Sequence, residues 1–366
     1  MFAIVPPYLL SRLAATDAPH LADAAEAARA TLAIPRAYLP GHERGRARLD
    51  LSVDGDALVL QGEPAPDRVV SDVRHREMLP GVRVRSEDDP PVADAAVNQA
   101  FDGLGASFDL FWDAFARRSI DGAGGTLAAS VHYGDRYDNA FWNGERMVFG
   151  DGDGEVFQGF TSSISVIGHE LGHGVIEHGG GLAYQGQSGA LNESVADVFG
   201  ALTEQHLHGQ SAAEASWLIG AGIFTDAVQG VALRSMKAPG TAYDDDVLGT
   251  DPQPAHMRDF VHTSEDNGGV HINSGIPNKA FHLVATALSG SAWERAGRIW
   301  YLTVTEGTLS PTADFSAFAA ATTAVAQREY GERSEEADAV RTAWNAVGVT
   351  ARDESPRPAR PAGVHG

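Results

Sequence analysis

Residues 162–181 read SSISVIGHELGHGVIEHGGG. Ile164, Ile167, Leu171 and Val175 recur at spacings of three, four and four, one stripe of a helix. Ser162 or Ser163 supplies a cap at the start, and the glycines from Gly179 onward stop the helix. His169 and His173 then lie about one turn apart on the same side, so both imidazoles reach one ion. Glu170 falls roughly a hundred degrees round, beside that ion and not bound to it, where a carboxylate can take a proton from water. These are the mechanics of the zinc motif H-E-x-x-H. Gly172 costs the helix about 1 kcal/mol relative to Ala, which is tolerable where a neighbour must come close.

Two histidines are too few for zinc, which takes three protein ligands in catalytic sites. Residues 189–199 read GALNESVADVF, and Leu191, Val195, Val198 and Leu202 mark a second apolar stripe. Glu193 and Asp197 are four apart and share a face of that helix. Glu193 can be the third ligand. Asp197 can accept the ring N–H of a ligating histidine and so fix its tautomer. Two acids on a helix are ordinarily a solvated face; the histidine pair upstream turns this one into a ligand surface.

The whole chain sets bounds. Its 366 residues suffice for two ordinary domains. With 43 % hydrophobic and 21 % charged residues, it has the profile of a soluble globular protein. The formal charge of −22 repels nucleic acid and anionic lipid, so neither is an expected partner. There is no cysteine, so any metal is held by His, Asp or Glu. The start, MFAIVPPYLLSR, lacks a basic leader, and its apolar run breaks at Pro6-Pro7. It is read as something other than a signal peptide, which implies cytoplasmic synthesis and leaves release by a non-classical route open. No stretch approaches the roughly 18–20 apolar residues of a membrane span.

Residues 17–34 carry a helical stripe (Leu21, Ala25, Ala28, Leu32), with Asp17 as its N-cap and Pro35 as its end. The segment 36–50, RAYLPGHERGRARLD, reads as a linker open to proteolysis. Strands are expected in LDLSV, ALVL, VRVR, LAASVHY and RMVFG, with a helix near 94–117. Asp151-Gly-Asp-Gly starts like a calcium loop but lacks that loop's glycine and final glutamate, and reads as a hairpin turn. The expected division is 1–45, a detachable unit; 46–160, β-rich; 161–350, mainly helical; and 351–366, a disordered Pro/Arg-rich tail.

HELGH, GALNESVADVFG, YDNAFWNGERMVFGDGDG and DNGGVHINSGIPNKA together resemble the thermolysin family of zinc neutral metalloproteases. The short unit containing VPPYLL resembles the propeptide of the protealysin branch. The resemblance implies an α+β fold, with a β-rich N-terminal domain on a helical C-terminal domain and HELGH at the floor of the cleft between them. It implies one catalytic Zn2+ on His169, His173 and Glu193, with Glu170 as base and then acid. It assigns oxyanion stabilisation to His271, oriented by Asp266 and partnered by Tyr184. It assigns a substrate carbonyl to Arg234 and the peptide edge to Asn139 and the backbone of Ala140. Phe157, Val166 and Leu233 would line a pocket for a bulky apolar residue just after the cut bond. Expected partners are peptide or protein substrates and the chain's own N-terminal propeptide, on a monomer.

One departure stands out. The family's paired calcium site needs five carboxylates. Ser165 replaces the first, Glu204 keeps the second, and the remaining three are lost in the stretch from Ser216-Trp217-Leu218 to Ala221. A hard cation wants six to eight oxygens, so this site is expected to be empty. Two other readings remain open from the residues: a protease-like binding protein, and a zinc hydrolase of another type such as an aminopeptidase.

Overall fold

The computed structural model describes residues 2–34, 51–54, 57–60 and 65–351. The linker 36–50 and the tail beyond 351 lie outside them. The chain opens with an irregular stretch at 2–6, then α1 (Pro7–Ala14) and α2 (Ala22–Ala33). Pro7 stands in the first turn of α1, where its missing N–H is not needed. Asp17 does not cap α2. The chain enters that helix through a short 3-10 turn, Pro19–Leu21, and no side chain caps it.

A small antiparallel hairpin, β1 (Leu51–Asp54) and β2 (Ala57–Leu60), precedes the main sheet. The sheet contains β3 (Arg68–Asp72), β4 (Val82–Ser86), β5 (Leu127–Val131), β6 (Ala140–Trp142) and β7 (Met147–Phe149). Their spatial order is β4-β3-β5-β7-β6. The central strands β3, β5 and β7 are mutually parallel, and both edge strands run antiparallel. All five expected strand segments are present. Strands β3 and β6 were not foreseen: β6 is three fully buried residues with no alternation to read. Helix α3 (Ala95–Phe115) packs against β3 and β5 and against two of the later helices, capped by the Asp94 side chain on the N–H groups of Ala96 and Val97.

Helices then dominate: α4 (Ile164–Gly179), α5 (Gly186–His208), α6 (Asp266–Asn273), α7 (Gly275–Leu288), α8 (Arg298–Thr305), α9 (Phe315–Tyr330) and α10 (Glu335–Ala346). Ser163 precedes α4 but does not cap it; its hydroxyl meets that of Ser165 at 3.1 Å. Helix α4 is buried from Ser165 to Ile176, so its apolar stripe marks only part of what the core covers. Asp151-Gly-Asp-Gly forms no hairpin; Asp153 Oδ1 closes a loop by accepting the N–H groups of Glu155, Val156 and Phe157. No helix among the described residues is long and apolar enough to cross a membrane.

The contact that positions everything else is α4 on α5. A Cβ added at Gly200 would stand 2.4 Å from the Ser165 carbonyl oxygen, and one at Gly172 would stand 3.1 Å from Ala196 Cα. The two backbones therefore touch with no side chain between them, which is the close neighbour that Gly172 implied. On the sheet side, Trp142 of β6 covers Gly174 and donates from Nε1 to Glu177 Oε2 at 2.9 Å.

The short N-terminal unit packs over the sheet as well. Asp138 is buried and donates its N–H to Thr31 Oγ1 of α2 at 3.0 Å. Burial and the neighbouring Asp153 carboxylate push Asp138 up to about 9.

Two outcomes follow from this packing. Gly200→Ala forces the α4 and α5 backbones apart and is expected to cost about 1–3 kcal/mol, read as a lowered melting temperature. For Asp138, the folded chain holds a proton that the unfolded chain releases in the ordinary carboxylate range. That stabilisation is fully present below the ordinary range and is lost as pH rises through about 9. Melting temperature is expected to fall across that window in the wild type and to stay flatter in Asp138→Asn.

Candidate active site

His169 and His173 lie on α4, with their Nε2 atoms 3.0 Å apart. Glu193 of α5 brings Oε2 to 3.5 Å from His169 Nε2 and Oε1 to 3.6 Å from His173 Nε2. All three residues are fully buried. Ligands at 2.0–2.2 Å in a tetrahedron sit about 3.3–3.6 Å apart, so the two histidine–carboxylate spacings fit zinc and the 3.0 Å histidine pair lies just below that range. The remaining ring nitrogens are committed elsewhere. His169 Nδ1 is 2.7 Å from Asp197 Oδ1, and His173 Nδ1 is 2.8 Å from Asn192 Oδ1. Both Nε2 atoms are thereby left to face the ion, as a neutral ligand pair requires. Glu193 Oε2 has no hydrogen-bond partner, an orphaned buried oxygen that a cation would satisfy. Burial, and then the neighbouring His169, lower His173 well below its usual range, which suits a metal ligand.

Glu170 is fully buried, and neither carboxylate oxygen makes a hydrogen bond of regular geometry. Burial pushes it up to about 7. Asp197 is the opposite case. Burial alone would raise it, but Arg234 and His169 hold it well below the usual carboxylate range. Arg234 donates from Nε to Asp197 Oδ2 at 2.9 Å and from Nη2 to Oδ1 at 2.8 Å. Asn278 of α7 adds a third donor to Oδ2 at 2.8 Å.

The chain turns sharply before His271. Asp266, Asn267, Gly268 and Gly269 all have positive φ, and the glycines make that bend affordable. The bend lets Asp266 Oδ2 accept the His271 N–H at 2.9 Å while Oδ1 lies 2.6 Å from His271 Nδ1. Burial would lower His271, but the Glu193 and Asp266 carboxylates raise it to about 9, so its Nε2 is a donor at neutral pH. Tyr184 OH stands 3.2 Å from His271 Nε2 and donates to Glu193 Oε1.

A peptide already lies in this cleft, and it belongs to the same chain. The Phe2 ring stacks on His173 at 4.4 Å and meets Tyr184 edge-on at 4.7 Å. The Ala3 carbonyl accepts from His271 Nε2 at 2.9 Å. The Ile4 carbonyl accepts from Arg234 Nη1 at 2.9 Å, and its N–H donates to the Ala140 carbonyl at 3.1 Å. Asn139 holds both ends of Val5: Oδ1 accepts its N–H at 2.9 Å, and Nδ2 donates to its carbonyl at 3.1 Å. Ala3, Ile4 and Val5 are buried.

Comparison with known proteins fits this geometry. The profile described as thermolysin metallopeptidase, catalytic domain, matches residues 68–177, and that of the alpha-helical domain matches 180–349. The chain belongs to the thermolysin metallopeptidase family. An extracellular metalloprotease of Pectobacterium carotovorum subsp. carotovorum is 46 % identical over 352 residues, covering 96 % of this chain and 97 % of that one. A thermolysin of Alicyclobacillus acidocaldarius subsp. acidocaldarius is 39 % identical over 287 residues, covering 76 % of this chain and 50 % of its own. Among solved structures, the precursor of protealysin from Serratia proteamaculans aligns with a TM-score of 0.84 at 46 % identity, over 96 % of this chain and 100 % of that one. Thermolysin-family enzymes are zinc metalloendopeptidases, and this chain is one of them, in the protealysin-like branch.

Of the residues expected in the thermolysin-like site, His169, Glu170, His173, Tyr184, Glu193, Asp197, Arg234, Asp266 and His271 converge, and Asn139 and Ala140 form the facing edge. Phe157, Val166 and Leu233 are buried. Phe157 rings against Phe160 and Phe224 at 5.8 and 5.5 Å, as a core residue does. Sequence reading missed Asn192 and Asn278. Asn192 adjoins Glu193 and looks like any polar helix residue until His173 is placed beside it. Asn278 had a signal: with His282 it is one of two polar residues buried on the largely apolar helix α7.

Asn192 also donates to the Leu182 carbonyl at 3.0 Å, which fixes its amide with oxygen towards His173. Asn192→Ala is expected to weaken zinc binding by about 10–100-fold, measured by competition with a chelator, while the fold is retained.

Proposed function

We propose that the chain is the precursor of a zinc endopeptidase in which Glu170 is the general base and the N-terminal unit plugs the cleft. The observation that carries this reading is the path of Phe2–Val5. Successive backbone groups engage His271, Arg234, Ala140 and Asn139, the residues assigned to a substrate. The buried carboxylate of Glu170 lies one residue from the first histidine of the triangle.

Zinc bound by His169, His173 and Glu193 would supply a Lewis acid that polarises a carbonyl and acidifies water. Glu170 takes the proton of the attacking water and returns it to the leaving amine; its raised range suits both tasks. His271 directs its Nε2 donor at the carbonyl where Ala3 now sits, and the Tyr184 hydroxyl, 3.2 Å from that nitrogen, is its proposed partner in stabilising the developing oxyanion. Asp266 keeps the His271 ring oriented. Arg234, pinned by Asp197, holds the next carbonyl. In this register Ile4 takes the place of the residue after the cut bond, which supports a preference for a bulky apolar side chain there. Val166 and Leu233, with Phe157 behind them, are the proposed walls.

Residues 1–45 are proposed to be removed by the enzyme's own cleavage within 36–50, which frees the β-rich unit 46–160 and the helical unit 161–350 to form the open cleft. The protealysin relative, described as a precursor, supports that reading. The paired calcium site is proposed to be empty. Ser165 Oγ accepts the Gly220 N–H at 3.1 Å and meets Ser163 Oγ at 3.1 Å, so neutral contacts occupy the place of the first lost carboxylate. The Pectobacterium relative's name, an extracellular metalloprotease, supports action outside the cell.

The test is casein cleavage by the full-length chain and by Glu170→Gln, with mass spectrometry of both. Wild type is expected to shorten within 36–50 and to cut casein internally. Glu170→Gln is expected to stay intact and at least about 100-fold slower. Equal cleavage by both chains would remove Glu170 from the mechanism.

A further inference from the structure

A second group of His and Asp side chains, separate from the zinc triangle, gathers at the strand ends of the sheet. Because β3, β5 and β7 are parallel and adjacent, their C-terminal ends share one edge. The residues just beyond those ends are His75, His132 and Asp151, a juxtaposition that fold topology alone delivers.

The geometry there is specific. His132 Nδ1 is 2.9 Å from both Asp151 carboxylate oxygens, and His75 Nδ1 is 3.4 Å from Asp151 Oδ2. One donor atom from each of the three residues lies within 4.8 Å of the other two. The two histidine–carboxylate spacings, 2.9 and 3.4 Å, compare with 3.5 and 3.6 Å in the catalytic triangle. The two backbones are held side by side: the His75 main-chain N–H donates to the His132 carbonyl at 2.8 Å, both residues hold the left-handed conformation, at φ 56° and 57°, and their ring centroids are 5.5 Å apart. Side chains rarely adopt that conformation, and residues that do so concentrate at functional sites.

The outer ring follows the same pattern as the catalytic site. Asp94 Oδ2 is 2.9 Å from His132 Nε2, while its Oδ1 caps α3 by accepting the Ala96 N–H at 2.9 Å. His132 therefore has one nitrogen tied to a carboxylate and the other turned to the cluster, as His169 is tied to Asp197. His75 is 59 % exposed, which leaves an entry path from solvent.

We propose that His75, His132 and Asp151 form a second site for a first-row divalent transition metal such as zinc, with Asp94 orienting His132. Two imidazoles and one carboxylate suit zinc, and a fourth position stays open to water. Calcium, which takes oxygen ligands, is excluded by the donor set. A metal here ties the ends of the three central strands together. Without metal, the cluster is an ion-pair network in which His132 lies between Asp94 and Asp151.

The probe is zinc alone, added in slight excess to the full-length chain, with bound zinc counted per chain after removal of free ion. His75 is the discriminating position, because its exposed ring can be removed without opening the core. Wild type and the surface control His208→Ala are expected to hold two zinc ions, and His75→Ala one. Asp151→Asn, a change of nearly equal shape, is expected to lose the same ion. Equal zinc counts in wild type and His75→Ala would overturn the proposal and leave the cluster as an ion-pair network.

Discussion

The buried carboxylate of Asp197 is the constraint on which the cleft depends. It is fully enclosed, yet three donors from separate parts of the chain meet on it: His169 from α4, Arg234 from a short strand (Arg234–Ser235) between α5 and α6, and Asn278 from α7. An enclosed charge is tolerable only when paired and hydrogen-bonded, and Asp197 is both. The arrangement joins a metal ligand to a substrate clamp through a single side chain. His169 cannot turn without disturbing the group that holds Arg234. Arg234 cannot leave without stranding a buried carboxylate.

The close approach of α4 and α5 makes that junction possible. Glycines at the contact remove the side chains that would hold the helices apart, and the shorter separation brings Glu193 and Asp197 onto the histidines of α4. The result is a helix buried on nearly all sides, stabilised by packing rather than by amphipathic pattern. The sheet contributes the opposite wall. Asn139 and Ala140, at its β6 edge, present the backbone-pairing surface on which an extended peptide can lie.

Much of this was legible in the sequence because the chemistry is local. His169, Glu170 and His173 fall within five residues, so helical geometry alone places them. Glu193 and Asp197 fall on one later helix face, and only their approach to α4 had to be supplied by the fold. Tyr184, His271 and Arg234 come from separate loops and short elements. No periodicity links them, and their grouping came from family resemblance. Asn192 and Asn278 escaped because an amide that orients a buried group looks, in sequence, like any other polar residue. The caps expected from Asp17 and Ser163 failed for a related reason: a nearby turn or a second hydroxyl offered the backbone or side chain another partner. Strand β6 was hidden because burial on both faces erases the alternation that reveals a strand.

The coupling of metal and substrate through Asp197 is tested most directly by Asp197→Asn. Two constants would be measured on one preparation with the N-terminal unit removed: zinc affinity, and KM for an unstructured peptide. The neutral amide keeps the shape but not the charge. The account predicts that zinc affinity falls by about 10–100-fold and that KM rises with it, because His169 and Arg234 lose the same anchor. Weaker zinc binding with an unchanged KM would contradict it, and would show that the metal centre and the substrate clamp are independent.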